Sequence, residues 1–492
     1  MRYKKTFLGI CIIMLIFAVA CVSASDVNET VVSSDDVQVL EQENGDIIES
    51  SQEELLADED DGTFTALQKK IDESEDGATI TLDKDYKYDE GFSKRGIVID
   101  KDITINGNGH VLDGASQSRI LLIKLGTIFR NQVTLNNIKF INGHTDLYGG
   151  AIFNYGNLTL NNCQFTNNYA KYCGGAINSI GYVEYKNSKF TKNVADGDGG
   201  AIFTLSIRGT VDRMVEIFNT DLEEGNMNFI DSIRNNFALV FARESVSNCV
   251  FTSNKANGRG GGAIYAFGNI DIKSSTFTSN VAGEKGGAVF GNKDLYISNS
   301  KFTSNKASMY GGAVYFKCHE STGHYEGSKW VSEVKYYTNS IKSSTFTKNS
   351  ASKGGAIYAF RTSSSDKTHC AKVYSSTFTA NKAPTGRDIY GGTYSKCVFN
   401  YLKLTLKKVK VKKSAKKLVL TAKLTKGKTL IKGKKITFKF NGKTYKVKTN
   451  KKGIAKLTIK KSVLKKLKVG KKVKYQAKYS KLTVKRTAKV KK

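Results

Sequence analysis

The tripeptide Gly-Gly-Ala begins at Gly149, Gly174 and Gly199, then at Gly261, Gly286 and Gly311, each trio stepping by 25 residues, and it returns at Gly354. A second motif, Phe-Thr-x-Asn, keeps phase with it from Phe165, Phe190, Phe251, Phe277, Phe302, Phe346 and Phe378, closing on Asn168, Asn193, Asn254, Asn280, Asn305, Asn349 and Asn381. A fixed period of about 20 to 50 residues marks a solenoid, whose units bury their apolar faces only against their neighbours. The fold is therefore read from one repeat.

Five and seven residues before each Phe the side chains are mostly apolar, as at Leu158 and Leu160, Ile270 and Ile272, and Leu295 and Ile297. That is alternation with period two, the pattern of a strand. Two residues before each Phe, on the same inward parity, stand small or modest side chains such as Cys163, Ser188, Cys249, Ser275 and Ser300. The Gly pair suits a bend needing positive φ, the Asn a turn bonded to its own copy one coil away, and the Ile or Val after Gly-Gly-Ala a new strand. One repeat then holds about three short strands and three bends, with like residues stacked about 4.8 Å apart. The expected fold is all-β, a right-handed parallel β-helix; a propeller blade needs about 40 residues.

These motifs resemble the GGAI and FxxN repeats of chlamydial polymorphic outer-membrane proteins, a β-helical surface family, over roughly residues 140–400, with insertions after Ala201, Tyr315 and Tyr358. Ahead of the repeats, Leu67, Gln68 and Ile71 lie in one or two amphipathic helical turns that would cap the first coil. The segment from Ile80 to Gly114 resembles the start of pectate-lyase-like (pectin-lyase-like) β-helices.

Arg2, Lys4 and Lys5 precede an apolar run from Phe7 to Val22, so residues 1–24 read as a secretory signal peptide, with lipidation of Cys21 as the competing reading. The chain is expected to be secreted, with no transmembrane span. Residues 25–61 read as an acidic disordered linker: 14 acidic residues and no basic one lie between Asp26 and Asp61. Residues 62–400 hold the β-helix and its cap.

The formal charge of +33 is unevenly spread, because residues 401–492 carry 36 Lys or Arg and no Asp or Glu. Alternating apolar residues at Leu418 to Leu424, Ile436 to Phe440, Ile454 to Ile459 and Val473 to Tyr479, with an Asn441-Gly442 turn, read as an Ig-like β-sandwich. The segment from Gly433 to Ile459 resembles the bacterial-type Ig-like repeats that end adhesin-like surface proteins of methanogenic archaea. A single-sign surface attracts anionic polymers in a salt-dependent way. No nucleic-acid-reading motif accompanies it.

Four groups of residues are site candidates. The second residue after each Gly-Gly-Ala is Phe153, Asn178, Phe203, Tyr265, Phe290, Tyr315 or Tyr358, alternating with an inward Ile or Val, so an exposed aromatic ladder is expected. Such a ladder stacks on sugar rings or a partner, or else only on itself. Asp196 and Asp198, and Asp100, Asp102 and Asp113, are the carboxylates a polysaccharide-active enzyme would need, but none recurs in adjacent coils, and they read as turn residues. Cys318, His319, His324, His369 and Cys370 lie in two insertions, where a soft-metal site and a Cys318–Cys370 disulfide are both open. Cys163, Cys249 and Cys397 share the Ser slot and read as stacking residues. No cofactor or metal is expected. The chain reads as a non-catalytic, adhesin-like surface protein binding cell-wall or host glycans or surface proteins, its basic domain on anionic envelope polymers. The alternatives are a β-helical polysaccharide lyase or hydrolase and a structural envelope component.

Overall fold

A computed structural model describes residues 60–125, 131–208, 240–326, 329–361, 372–480 and 482–492. The expected signal peptide, and all but the last two residues of the acidic linker, lie outside these residues. Within residues 78–399 the chain winds through three all-parallel sheets, making a parallel β-helix. The first runs from Ala78–Thr81 through Asn157–Asn161 to Thr393–Ser395, and the second, which carries the Phe residues, from Tyr86–Lys87 through Gln164–Thr166 to Val398–Phe399. The third follows Gly-Gly-Ala, from Ile97–Ile99 through Ile177–Ser179 to Ile389–Tyr390.

A fourth, narrow ladder of two-residue strands joins His144–Thr145, Tyr169–Ala170, Val194–Ala195, Lys255–Ala256, Val281–Ala282 and Lys306–Ala307. It adds to the three strands expected per repeat. Its strands are too short to show alternation, and only the column of buried Ala residues marks them.

Register follows the repeat. Phe140, Phe165, Phe190, Phe251, Phe277, Phe302, Phe346, Phe378 and Phe399 are successive partners in the second sheet. Their rings stack 4.7 to 5.2 Å apart, nearly parallel along most of the column. Beside them runs a buried Asn ladder. The first, Asn168, accepts the Gly143 N–H at 2.8 Å; each later Asn accepts, on Oδ1, both the backbone N–H and the side-chain amide of the Asn one coil earlier, as Asn280 does from Asn254 at 3.0 and 2.9 Å. The amide of Asn280 also donates to the Phe251 carbonyl at 3.0 Å. Polar turn backbone is thus satisfied inside the stack, where leaving it unpaired would be costly.

Both glycines of the motif are demanded. Gly286 has φ +60°, and a Cβ at Gly287 would stand 2.2 Å from the Gly312 carbonyl oxygen of the next coil. The Ser slot is equally specific: Ser300 Oγ accepts the Ser275 N–H at 3.1 Å and donates to the Ser298 carbonyl at 2.8 Å. Cys163 and Cys249 occupy this slot as free, buried thiols, and Cys397 as a half-buried one.

The helix Phe64–Asp72 closes the first coil with Phe64, Leu67 and Ile71 in the core. Its Gln68 side chain accepts the Val98 N–H at 2.7 Å and donates to the Val98 carbonyl at 3.0 Å. Val98 sits in the first strand of the third sheet, so this amide stands in for a missing strand and blocks the open edge. At the other end the last Asn of the ladder, Asn381, donates its amide to Asp388 Oδ1 at 2.9 Å, and its N–H to the Tyr401 hydroxyl at 3.2 Å.

Residues 402–491 form a β-sandwich with its own core. A four-stranded sheet contains Leu402–Leu406, Lys417–Lys426, Thr429–Leu430 and Ile454–Lys460; a five-stranded sheet orders Val411–Lys412, Leu482–Lys491, Lys472–Tyr479, Lys435–Phe440 and Lys443–Lys448. Leu418, Leu420, Leu457 and Ile459 of the first meet Ile436, Phe438, Val473 and Tyr475 of the second. The Asn441-Gly442 turn, with φ of 42° and 84°, joins two antiparallel strands. The short helix Lys461–Lys465 was not foreseen.

Candidate functional site

The aromatic ladder lies outside the β-helix core, as its parity requires, but it is not open to solvent. Phe153 and Phe203 are 8 % exposed, Phe290 5 % and Tyr315 4 %, while Tyr265 and Tyr358 are half-buried. The expected exposure is corrected for two physical reasons. From Phe203 on, each ring faces the next: Phe203–Tyr265 centroids are 5.1 Å apart, Tyr265–Phe290 4.4 Å, Phe290–Tyr315 4.7 Å and Tyr315–Tyr358 5.5 Å, while Phe153 packs against Tyr155 at 4.6 Å and under Arg119 at 5.4 Å. In addition, the residues just before each Gly-Gly pair form a run of parallel bridges, Gly260 to Lys285 to Tyr310 to Lys353, that folds over the column. A Cβ at Gly260 would stand 2.6 Å from the Phe290 ring, and Tyr310 packs 4.7 Å from Tyr358. Asn178 is buried in the same column, its side chain turned to the Cys173 carbonyl.

All three insertions leave the coil at one corner. They depart after Ile202–Thr204, Val314–Lys317 and Ile357–Phe360 of the third sheet and return before Arg243–Ser247, Ser340–Lys342 and Lys372–Tyr374 of the first. The three insertions therefore share a single edge of the β-helix, and connections of this kind are where a regular scaffold carries recognition. The second insertion is an antiparallel hairpin, His319–Glu326 with Lys329–Tyr336, whose register sets Tyr325 opposite Trp330. At its base Lys293 and the Tyr337 hydroxyl both donate to Glu320 Oε2, and Asp294 Oδ1 accepts the Thr338 N–H at 2.7 Å. Beside it Arg243 donates to Asp271 at 3.0 Å and lies 4.4 Å over the Tyr296 ring. Sequence reasoning did not pick out this polar cluster. The one available signal was the stretched spacing between successive Phe residues at the inserted coils.

Glu244 also belongs to this corner, and it faces inward. It occupies a row otherwise filled by Val183, Ile270 and Leu295, fully buried, and its Oε1 accepts the Thr204 hydroxyl at 2.5 Å while Oε2 has no partner. Burial pushes its carboxyl up to about 8, against the bond from Thr204. The neighbouring Tyr185 hydroxyl is likewise buried and without a partner, and burial followed by the nearness of Glu244 raises it. A carboxyl raised in the fold binds its proton more tightly there than in the unfolded chain, where glutamate titrates at about 4.3, so stability falls as pH climbs from about 5 to 8. Glu244→Val is expected to flatten that fall by up to about 1.4 kcal/mol per pH unit and to raise the melting temperature at pH 8. An unchanged slope in thermal melts at pH 5, 6.5 and 8 would contradict it.

Four of the five candidate enzymatic carboxylates accept hydrogen bonds. Asp196 accepts the Tyr169 hydroxyl at 2.7 Å and the Asn257 amide at 2.8 Å. Asp198 is buried and accepts the Gly260 N–H at 2.6 Å, and burial pushes its carboxyl up to about 7. Asp102 accepts the Gln132 N–H and Asp113 the Asn142 amide, while Asp100 is exposed. Cys318 is disulfide-bonded, its partner lying outside the described residues together with His369 and Cys370. His319 is buried, stacked at 6.4 Å on Phe360. Among the described residues no three His, Cys, Asp or Glu are grouped to hold a metal ion.

Five stretches of the chain, residues 162–180, 187–205, 248–266, 274–292 and 343–359, match the Chlamydia polymorphic membrane protein repeat. Each begins near the Ser slot, takes in the Phe and Asn of one coil and ends at the Gly-Gly-Ala strand, so the matched unit covers the second and third sheets of one coil and leaves out the strand of the first, such as Val183–Lys186. No curated protein matches the chain. Among the described residues no helix is long and apolar enough to cross a membrane.

Proposed function

We propose that this chain is a secreted, adhesin-like protein of a cell surface, binding glycan or protein partners without catalysis. The observation that carries this reading is the run of coils matching the Chlamydia polymorphic membrane protein repeat. In this reading the insertion edge, with its hairpin and polar cluster, is the contact surface. The β-helix is the stalk, and the lysine-rich sandwich, taken as Ig-like, associates with anionic polymers of the envelope. Engagement of four of the five candidate carboxylates in hydrogen bonds favours binding over a polysaccharide lyase or hydrolase. Antibody against the full chain should label intact cells of the producing organism, and labelling only after lysis would overturn the proposal.

The aromatic ladder then acts as structure. Tyr265→Ser, Phe290→Ser and Tyr315→Ser together remove three stacked, largely buried rings, each worth about 2 kcal/mol or more. The triple variant is expected to melt well below the parent and to lose adhesion along with its fold. Lost adhesion at an unchanged melting temperature would instead make these rings the ligand contact.

A further inference from the structure

We propose that one groove of the sandwich is a binding track for a linear acidic polysaccharide. The inference rests on the reading of the sandwich as an envelope-associating domain, and it assigns that role to particular residues. The chain enters the sandwich in one sheet, at Leu402–Leu406, then crosses to the other, where Val411–Lys412 pairs in parallel with the end of Leu482–Lys491. Only Val490 and Lys491 gain a partner on that side. Between the crossing segment and the rest of this edge strand lies a groove of about 530 Å³.

Six cationic residues line it: Lys408, Lys410, Lys485, Arg486, Lys489 and Lys491. Lys485, Lys489 and Lys491 are exposed and alternate with Val484, Ala488 and Val490, which turn toward the core. At about 6.8 Å per two residues they make a row of charges along the strand. Lys472, Lys474 and Lys478 on the neighbouring strand stand opposite Lys489, Thr487 and Thr483 and double the row. Arg486 is held at the groove wall, its Nε donating to the Leu406 carbonyl at 3.4 Å.

No carboxylate side chain exists anywhere in residues 401–492 to neutralise this row. Lysines guard open sheet edges in many proteins, but an edge guard does not need a second wall of Lys408 and Lys410 across a groove. Lysine heads are hydrated point charges without the fork of arginine, which suits repeated contact with a charged polymer over clamping of one group. Nucleic acid is disfavoured because the groove offers no ring for base stacking: its one aromatic, Tyr475, is buried, and its hydroxyl accepts the Val409 N–H at 3.1 Å. Carboxylate and phosphate groups on a glycan would be held by the same chemistry.

The test uses the full chain with polygalacturonate, a phosphate-bearing wall teichoic acid and a single-stranded DNA 20-mer, with affinity measured at 50, 100 and 200 mM salt. The parent should bind at least one acidic glycan more tightly than the DNA, and the two glycans show whether carboxylate or phosphate is preferred. Lys485→Gln, Lys489→Gln and Lys491→Gln together should weaken glycan binding at least tenfold at 50 mM salt and lower the salt slope by about 2 to 3. Lys403→Gln, Lys423→Gln and Lys456→Gln, exposed on the other sheet, make the same change of net charge and should cost no more than about threefold. Equal losses in the two triple variants would overturn the groove while leaving a diffuse basic anchor. Tighter binding of the DNA would overturn the class of ligand. Binding of no polymer by a parent that still labels the cell surface would remove the anchor and the groove together but leave the surface assignment standing.

Discussion

Asn280→Ala is expected to cost on the order of 4 kcal/mol or more, although it deletes only one short side chain. Asn280 is fully buried; its Oδ1 takes both donors of Asn254, and its amide reaches the Phe251 carbonyl and, at 3.0 Å, Asn305 Oδ1. Alanine leaves the Asn254 N–H without its acceptor in a dry stack and strips one bond each from the Asn254 amide, which keeps the Phe190 carbonyl at 2.9 Å, from the Phe251 carbonyl and from Asn305 Oδ1. The orphaned N–H costs about 1 to 3 kcal/mol and each lost bond about 1 kcal/mol. Hydrogen exchange should lose protection at residues 251–280 first, because a coil of a solenoid leans only on its neighbours. A stability change below about 1 kcal/mol, with protection intact, would mean that water replaces the ladder and that the ladder is not what ties the coils.

Phe277→Ala is the apolar counterpart. Its ring lies 4.7 Å from both Phe251 and Phe302, with planes 2° apart on each side, so removal opens a cavity that two flat rings cannot close. The expected cost is about 3 to 5 kcal/mol, with the capping helix Phe64–Asp72 keeping its exchange protection. Loss of protection spread evenly over the whole β-helix would show a single cooperative unit and contradict local stacking.

Much of this architecture was readable because the sequence repeats the side chains that stack on one another. The Phe column, the Asn ladder, the glycine bends and the capping helix each follow from a residue type that suits one task, and the Asn441-Gly442 hairpin from a turn only such residues make easily. Less was readable where the backbone decides. Two positions flanking each Phe strand take positive φ, and they hold Asn162 and Asn167 in one coil but Lys348 and Ala380 in others, which no local preference announces. Parity placed Phe290 and Tyr315 outside the core correctly; their burial depends on bridges at Gly260, Lys285 and Tyr310, set by the neighbouring coils. Glu244 sits where its row calls for Val or Ile, and the sequence offered no reason to expect a buried carboxyl there. The insertion corner was visible only as broken spacing, since its ion pairs join residues from different coils.

Retention of the full chain on isolated envelopes of the producing cells, measured across salt concentration, bears most directly on the proposed attachment. Exposed charges act over about 10 Å at 0.1 M salt and about 3 Å at 1 M. If the basic sandwich holds the protein to an anionic envelope, the chain should stay bound at 0.1 M and wash off by 1 M, and the Lys485, Lys489 and Lys491 triple variant should wash off at lower salt than the parent. Retention unchanged at 1 M salt in both proteins would contradict electrostatic attachment.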